Sequence, residues 1–443
     1  MTVKSEMPLK KLDSLSQTNN TFHNDPFISE LENSILKLDK WISNNGWAGY
    51  DPYDIKGTKI YMWAFGLDRT PIIKNVFRKF VLGFLLIGEM LFPRIFRIIF
   101  NIKKTINPKG MALLGQAYLK LYLVKGNDKY KIKGLECIDW LKDNQSPGYK
   151  YPCWGYPFDW HSIEKTIVKA FTPSSVVVSE VSEAFWLAWT ITNDRSYLDI
   201  CEGACNFFLN YLNMDHIDDE TVCFSYTPMD EFHCHNANLL VAKSLVKVGL
   251  ELNKKEWVSI GLKAGNYALS EQNEDGSLYY FGKVDNSYNP NRVDHYHTGF
   301  EIRALYSIYK HTQKTSYKKA VDRYYQFYIK NLVDQTDGKT AIKMYPHSLY
   351  PINIHSCAEA LLMNSTLVYS YPEARNLLKQ ILPWINNMMQ SKRGYYYYMY
   401  HKFGPVTLKS TIPYMRWGQS WMMLSLATSL ESAHSFKLGT YHK

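Results

Sequence analysis

Six consecutive positions, Arg292 to His297 in Asn291-Arg292-Val293-Asp294-His295-Tyr296-His297-Thr298-Gly299-Phe300, hold a guanidinium, a carboxylate and two imidazoles. An imidazole titrates near neutrality and can take or release a proton; a carboxylate beside it can orient it or stabilise its charged form. Asp294 therefore reads as the partner of His295 or His297. Arg292 can hold a substrate carboxylate by a two-pronged hydrogen bond. The plainer alternative makes Asp294 a helix cap and leaves the histidines to satisfy loop backbone.

Comparable clusters recur along the chain. One holds Asp159, Trp160, His161, Glu180 and Glu183, and another holds Asp230, Glu231, His233 and His235. Further on come His347, Tyr350 and His355, then Tyr414, Arg416 and Trp417. Asp294, His295, His297, Asp230 and Glu180 are the catalytic candidates. Arg292, Trp160, Glu231, His235, His347, Tyr350, His355, Tyr414, Arg416 and Trp417 are the candidate substrate contacts. Glu180 and Glu183 fall on one helical face. A glycosidase needs two carboxylates flanking one bond, about 5 Å or about 6.5–9.5 Å apart depending on stereochemistry, and the sequence does not fix how near Asp230 or Asp294 comes to Glu180. His233-Cys234-His235 has no second Cys/His pair at a zinc-like distance, so no metal is expected, and no cofactor.

Such scattered residues do chemistry only if the chain brings them together, and its repeats indicate how. From about residue 130 a unit recurs: an amphipathic helix, a turn rich in Asn, Asp and Gly, a short aromatic strand, a polar loop and a second helix. The clearest copy runs from Lys263 through Asn273-Glu274-Asp275-Gly276 and Leu278-Tyr279-Tyr280-Phe281 to Thr298-Gly299. Six outer helices end in aromatic-apolar runs such as Trp41-Ile42, Trp140-Leu141 and Trp384-Ile385. Six inner helices follow, at about 109–125, 176–193, 235–252, 297–312, 353–370 and 412–432, each with apolar residues at helical spacing. Internal repetition of this kind predicts an all-α ring, an (α/α)6 toroid over residues 26–435 with short strands in its loops and a disordered start of 25 residues. The loops entering the inner helices then open at one end of the ring, where the clusters converge.

Composition bounds the partners. The net charge of +10 favours anionic ones, an acidic polysaccharide or a phospholipid surface, and the dispersed basic residues carry no nucleic-acid recognition signature. Seven cysteines at irregular spacing and a polar Met1–Gln17 fit a reducing, cytoplasmic setting. Residues 72–106 are apolar and basic, and interrupted by Glu89, Pro93, Arg94 and Arg97, so they are too short to cross a bilayer. They suit either a helical hairpin lying in a membrane interface or a helix pair packed on the outside of the ring.

Over about residues 28–432 the chain resembles the six-hairpin glycosidase-like superfamily, and within it the bacterial proteins encoded with exopolysaccharide and capsule biosynthesis enzymes. Arg292-Val293-Asp294-His295-Tyr296-His297-Thr298-Gly299-Phe300 and the repeated Asp-Gly-aromatic turns carry the resemblance. It implies a carbohydrate substrate far better than it implies a reaction; with the positive charge, the expected partner is an oligosaccharide or polysaccharide for which an acidic or a lipid-linked form stays open. Hydrolase, lyase and epimerase all stay open, as does a non-catalytic glycan-binding or assembly protein at the inner face of the membrane. A zinc-dependent peptide or isoprenoid enzyme ranks below these.

Overall fold

The computed structural model describes residues 25–66, 75–162, 166–336 and 339–437. The helices are α1 (Pro26–Asn45), α2 (Lys59–Phe65), α3 (Asn75–Leu91), α4 (Pro93–Ile99), α5 (Pro108–Lys125), α6 (Asp128–Asp143), α7 (Ser175–Thr192), α8 (Arg195–Tyr211), α9 (His235–Glu251), α10 (Lys255–Glu271), α11 (His295–Thr312), α12 (Thr315–Leu332), α13 (Ile354–Leu367), α14 (Pro372–Met389) and α15 (Trp421–Lys437). The short antiparallel strands sit in the connections: β1 (Trp160–His161) with β2 (Ile167–Val168), β3 (Met214–His216) with β4 (Val222–Phe224), and β5 (Val333–Asp334) with β6 (Ala341–Ile342). The last sheet joins β7 (Ile352–Asn353), β8 (Met399–Phe403) and β9 (Val406–Ser410).

Helices α5, α7, α9, α11, α13 and α15 pack each on the next, and α15 returns to α5. Their partners α1, α6, α8, α10, α12 and α14 lie outside, with α1 closing on α15. This is the (α/α)6 toroid. The two rings differ as their sequences require. Inner helices such as α9 are buried nearly all round, because two neighbours and the axis contact them. Outer helices such as α12 and α14 bury one stripe.

Local chemistry sets the ends. Asp25, Asn107, Ser174, Asp194, Asp294 and Asn353 cap their helices by accepting from backbone N–H groups one turn in. Asn193, Asn253 and Gln313, in the polar breaks after inner helices, adopt left-handed φ of 56°, 56° and 55° and reverse the chain into the next outer helix.

Two details depart from the expected elements. Leu278–Phe281 forms no regular strand; Phe281 makes a lone bridge to Cys234. The last inner helix starts later, with a π-turn over Met415–Ser420 before α15. Residues 72–74, Asp337, Gly338 and the expected disordered start up to Asn24 lie outside the described residues. Within the 72–106 segment, α3 and α4 form a hairpin whose inner face packs on residues 55–65 through Leu85 and Phe96.

Candidate functional site

The inner helices begin at the same end of the ring, and the site grows from those beginnings. Asp294 stands one residue before α11, buried, with Oδ1 accepting from the His297 backbone N–H at 3.1 Å. Its other oxygen takes the His297 ring Nδ1 at 2.8 Å and the Arg292 guanidinium at 2.8 Å. Burial alone would raise the Asp294 carboxyl, but its contacts with the His297 imidazole and backbone N–H and with the Arg292 guanidinium outweigh it and hold it well below the usual carboxylate range. Burial lowers His297 below the ordinary imidazole value, with Asp294 opposing, so the ring is neutral at pH 7. A neutral imidazole bound to a carboxylate through Nδ1 is a base at Nε2.

His297 and Arg292 line a cavity of about 320 Å³. Its walls are largely aromatic. Trp160 stacks on Tyr53 at 5.9 Å, Tyr226 meets Trp160 edge-on at 6.2 Å, and Tyr280 covers His297 at 4.6 Å. Such faces suit the C–H surfaces of sugar rings as well as one another. The described lining carries two basic side chains, Lys56 and Arg292, a second imidazole, His161, and one carboxylate, Asp230. Asp230 is committed to its own loop: it accepts from Tyr226 N at 3.0 Å, Thr227 N at 2.8 Å and Thr227 Oγ1 at 2.5 Å. Burial nonetheless raises its carboxyl.

Beneath the aromatic walls, buried Arg416 pairs with Asp51, Nη2 to Oδ1 at 2.6 Å, and holds Tyr156 Oη at 3.3 Å. The same Asp51 oxygen accepts from Tyr53 N at 2.9 Å, which fixes the ring facing Trp160. His355 lies flat on Tyr296 at 4.7 Å and edge-on to Trp417 at 4.5 Å, with both ring nitrogens buried and without a protein partner among the described residues. Burial, then Lys109, keeps it neutral. One to two turns further into the inner helices come Glu180 and the pair Arg303–Glu359, Nε to Oε1 at 2.6 Å, within electrostatic reach of Lys109. Burial lowers the Lys109 ammonium to about 8 despite Glu180.

The structure thus gathers Arg292, His297, Trp160 and Asp230 at one cavity, with Asp294 behind them and Trp417, Arg416, His355 and Glu180 beneath. It does not bring the other candidates there. His295 points outward to α12, edge-on to Tyr328 at 5.1 Å with Nδ1 on Lys343 O. His235 likewise faces α10, 5.4 Å from the Tyr267 ring. Successive helical residues turn about 100° apart, so a histidine at the first position of α9 or α11 faces the outer layer. Glu231 is exposed at an outer groove with His233 and Asp285, and His347 is exposed on Tyr345. Tyr350 packs near Tyr400, and Tyr414 sits under Arg97 of α4. Glu183, on the same face of α7 as Glu180 in a helical projection, instead binds Lys243 and Lys247 of α9.

Several lining residues were not picked out by sequence reasoning. Tyr53, Lys56 and Phe65 come from the stretch before the hairpin, where the repeat is stretched and the pattern silent. Lys109 offered a usable signal: it is the second residue of an inner helix, the position His355 also holds.

Solved structures share the architecture. A GH76 α-mannanase of Bacteroides thetaiotaomicron matches with a TM-score of 0.56 at 14% identity, over 75% of this chain and 88% of that one. A cellobiose 2-epimerase from Bacillus thermoamylovorans gives 0.55 at 13%, over 74% and 88%. An unsaturated glucuronyl hydrolase specific for heparin gives 0.58 at 9%, over 92% and 98%. The chain has the six-hairpin glycosidase-like fold. No protein-family model matches the sequence, and no curated protein is significantly similar to it. The six-hairpin toroid places its cavity where the loops entering the inner helices meet, and in this chain those loops carry the Asp294–His297 pair.

Proposed function

We propose that this toroid is a sugar-directed enzyme of cell-surface polysaccharide biosynthesis or modification that removes a proton from a carbon next to a carbonyl or carboxyl group, as an epimerase or lyase does. One observation carries the reading: His297 lines an aromatic cavity as a neutral imidazole whose Nδ1 is held by buried Asp294. In this reading Nε2 takes the proton, and Arg292 and Lys56 offset negative charge on an acidic sugar. Hydrolysis through two carboxylates is less well supported. Asp230 is the one carboxylate among the described lining residues, and its oxygens are occupied by its own loop. The solved structures of the same fold include an epimerase and a glucuronyl hydrolase, which supports a carbohydrate substrate and leaves the reaction to the site. Seven buried free cysteines support a reducing, cytoplasmic location.

The test is solvent deuterium exchange. The protein is incubated in D2O with uronate-containing and neutral oligosaccharides while NMR follows the carbon-bound proton, unsaturated-uronate absorbance and reducing ends. Deuterium enters, or an unsaturated uronate forms, with the natural protein, and the rate falls about 10²-fold or more in His297→Gln. Release of reducing ends with no exchange or unsaturation, unchanged in His297→Gln, would overturn the proposal.

A further inference from the structure

The α3–α4 hairpin is built inside out. On α3 the solvent-facing stripe runs through Val76, Phe80, Phe84 and Ile87, with 83%, 72%, 62% and 56% of their surfaces exposed. On α4, Ile98 is 73% exposed while Arg97 is fully buried. Helices of a water-soluble surface do the reverse. The buried side of the hairpin is fastened by charge: Arg97 pairs with Asp54 at 2.9 Å and Glu89 at 3.1 Å, and donates to the Asp51 carbonyl at 2.9 Å. A contiguous apolar face of this kind needs a cover. β9 packs against α3, and the β8–β9 turn adds two more exposed apolar side chains, Phe403 and Val406.

Charge identifies the cover. Residues 75–104 contain six basic residues and a single acidic one, Glu89, which is spent on Arg97. Lys79, Arg94, Lys103 and Lys104 are exposed. Apolar residues on one face with Lys and Arg around them match an interface of acyl chains below anionic headgroups. No described helix is long and apolar enough to cross a membrane; the hairpin would lie in the surface. We infer that the exposed face of the α3–α4 hairpin docks this protein on an anionic lipid bilayer.

The docking also bears on the cavity. Residues 51–66 are shared: Ile55, Tyr61 and Ala64 pack on the hairpin, while Tyr53, Lys56 and Phe65 line the cavity. Asp51 joins the two, accepting from Arg416 under the cavity and offering its carbonyl to Arg97 of the hairpin. A docked molecule therefore holds one cavity wall directly behind the docked hairpin, which would favour a saccharide held on a lipid. That last step rests on the sugar reading; the docking itself does not.

Flotation of the full chain tests it, with vesicles of phosphatidylcholine alone and of phosphatidylcholine mixed with phosphatidylglycerol. The protein floats with the mixed vesicles, and added salt weakens the binding. Replacing three exposed side chains, Phe80→Glu, Phe84→Glu and Ile87→Glu, removes buried apolar contact and lowers vesicle affinity by about a hundredfold or more. Circular dichroism of that variant stays unchanged, because Leu85, Phe96 and the Arg97 ion pairs that fasten the hairpin are kept and only the Phe84–Phe96 ring contact is lost. Lys79→Glu with Arg94→Glu and Lys104→Glu abolishes the preference for phosphatidylglycerol. The proposal fails if the natural protein stays with neither vesicle at low salt, or if the apolar triple variant floats equally well. It also fails if light scattering shows a dimer, with no vesicle binding, that the triple variant turns into a monomer. Because no sugar is present, failure here is distinguishable from failure of the exchange experiment.

Discussion

Asp294 is both things the sequence allowed it to be. One oxygen caps α11 and the other holds His297 and Arg292, so the cap fixes the carboxylate that fixes the imidazole. Asp294→Asn separates the two roles, since Asn also caps well. Helix α11 stays folded by circular dichroism, while turnover falls about 10²-fold or more because the imidazole loses its anionic partner. The pH profile supplies a sharper readout. Burial depresses His297 and Asp294 partly restores it, so activity falls with acid only below the ordinary imidazole range, as the base becomes protonated. In Asp294→Asn the restoring charge is gone and the acid limb moves to still lower pH. On the alkaline side, burial lowers Lys56 to about 8 despite Glu89. Its charge is lost as pH rises through that value, and KM for an acidic substrate rises with it. An acid limb that stays put in Asp294→Asn would show that the pair is not the base. Residue types and their clustering were legible here from sequence. Which of two neighbouring histidines faces the cavity was not, because one helical step turns a side chain about 100°.

The inner helices approach closely enough that their facing residues are constrained one by one. Gly299 of α11 lies against Glu359 of α13, and a Cβ there would overlap the Glu359 side chain. That carboxylate is already clamped by Arg303 at 2.6 and 3.1 Å. Gly299→Ala must therefore push apart two inner helices or break a buried ion pair. The expected cost is about 1–3 kcal/mol in chemical denaturation, even though alanine is the better helix former. An unchanged denaturation midpoint would mean the ring is looser than its packing implies. At this scale the sequence was most readable. Apolar residues at helical spacing located all six inner helices, and the polar breaks at Asn193, Asn253 and Gln313 marked where three of them end. The π-turn at Met415–Ser420 was not readable. Its extra residue aims Arg416 and Trp417 under the cavity, and nothing in the local pattern distinguishes it from an ordinary helical start.

Closure is a property of the whole chain. Helix α1 meets α15 across nearly the full length of the sequence. Tyr118 Oη donates to buried Asp39 at 2.9 Å, Lys133 reaches the same carboxylate at 2.6 Å, and Asn386 of α14 donates to Ser34 at 2.9 Å. An open solenoid loses an end repeat and keeps the rest; a closed ring does not, because both neighbours of the gap lose a face. Removing residues 1–45 should therefore abolish the cooperative melt rather than shorten it, and Asp39→Ala alone should cost about 1–3 kcal/mol by stranding the Tyr118 hydroxyl. The cavity draws its walls from residues 53 to 297, with Arg416 and Trp417 beneath, so stripping α1 from α15, the helix that closes the inner ring on α5, removes activity together with the transition. A truncated protein that melts cooperatively at the original temperature would show that the hairpins are independent, and that the cavity owes its shape to local loops alone.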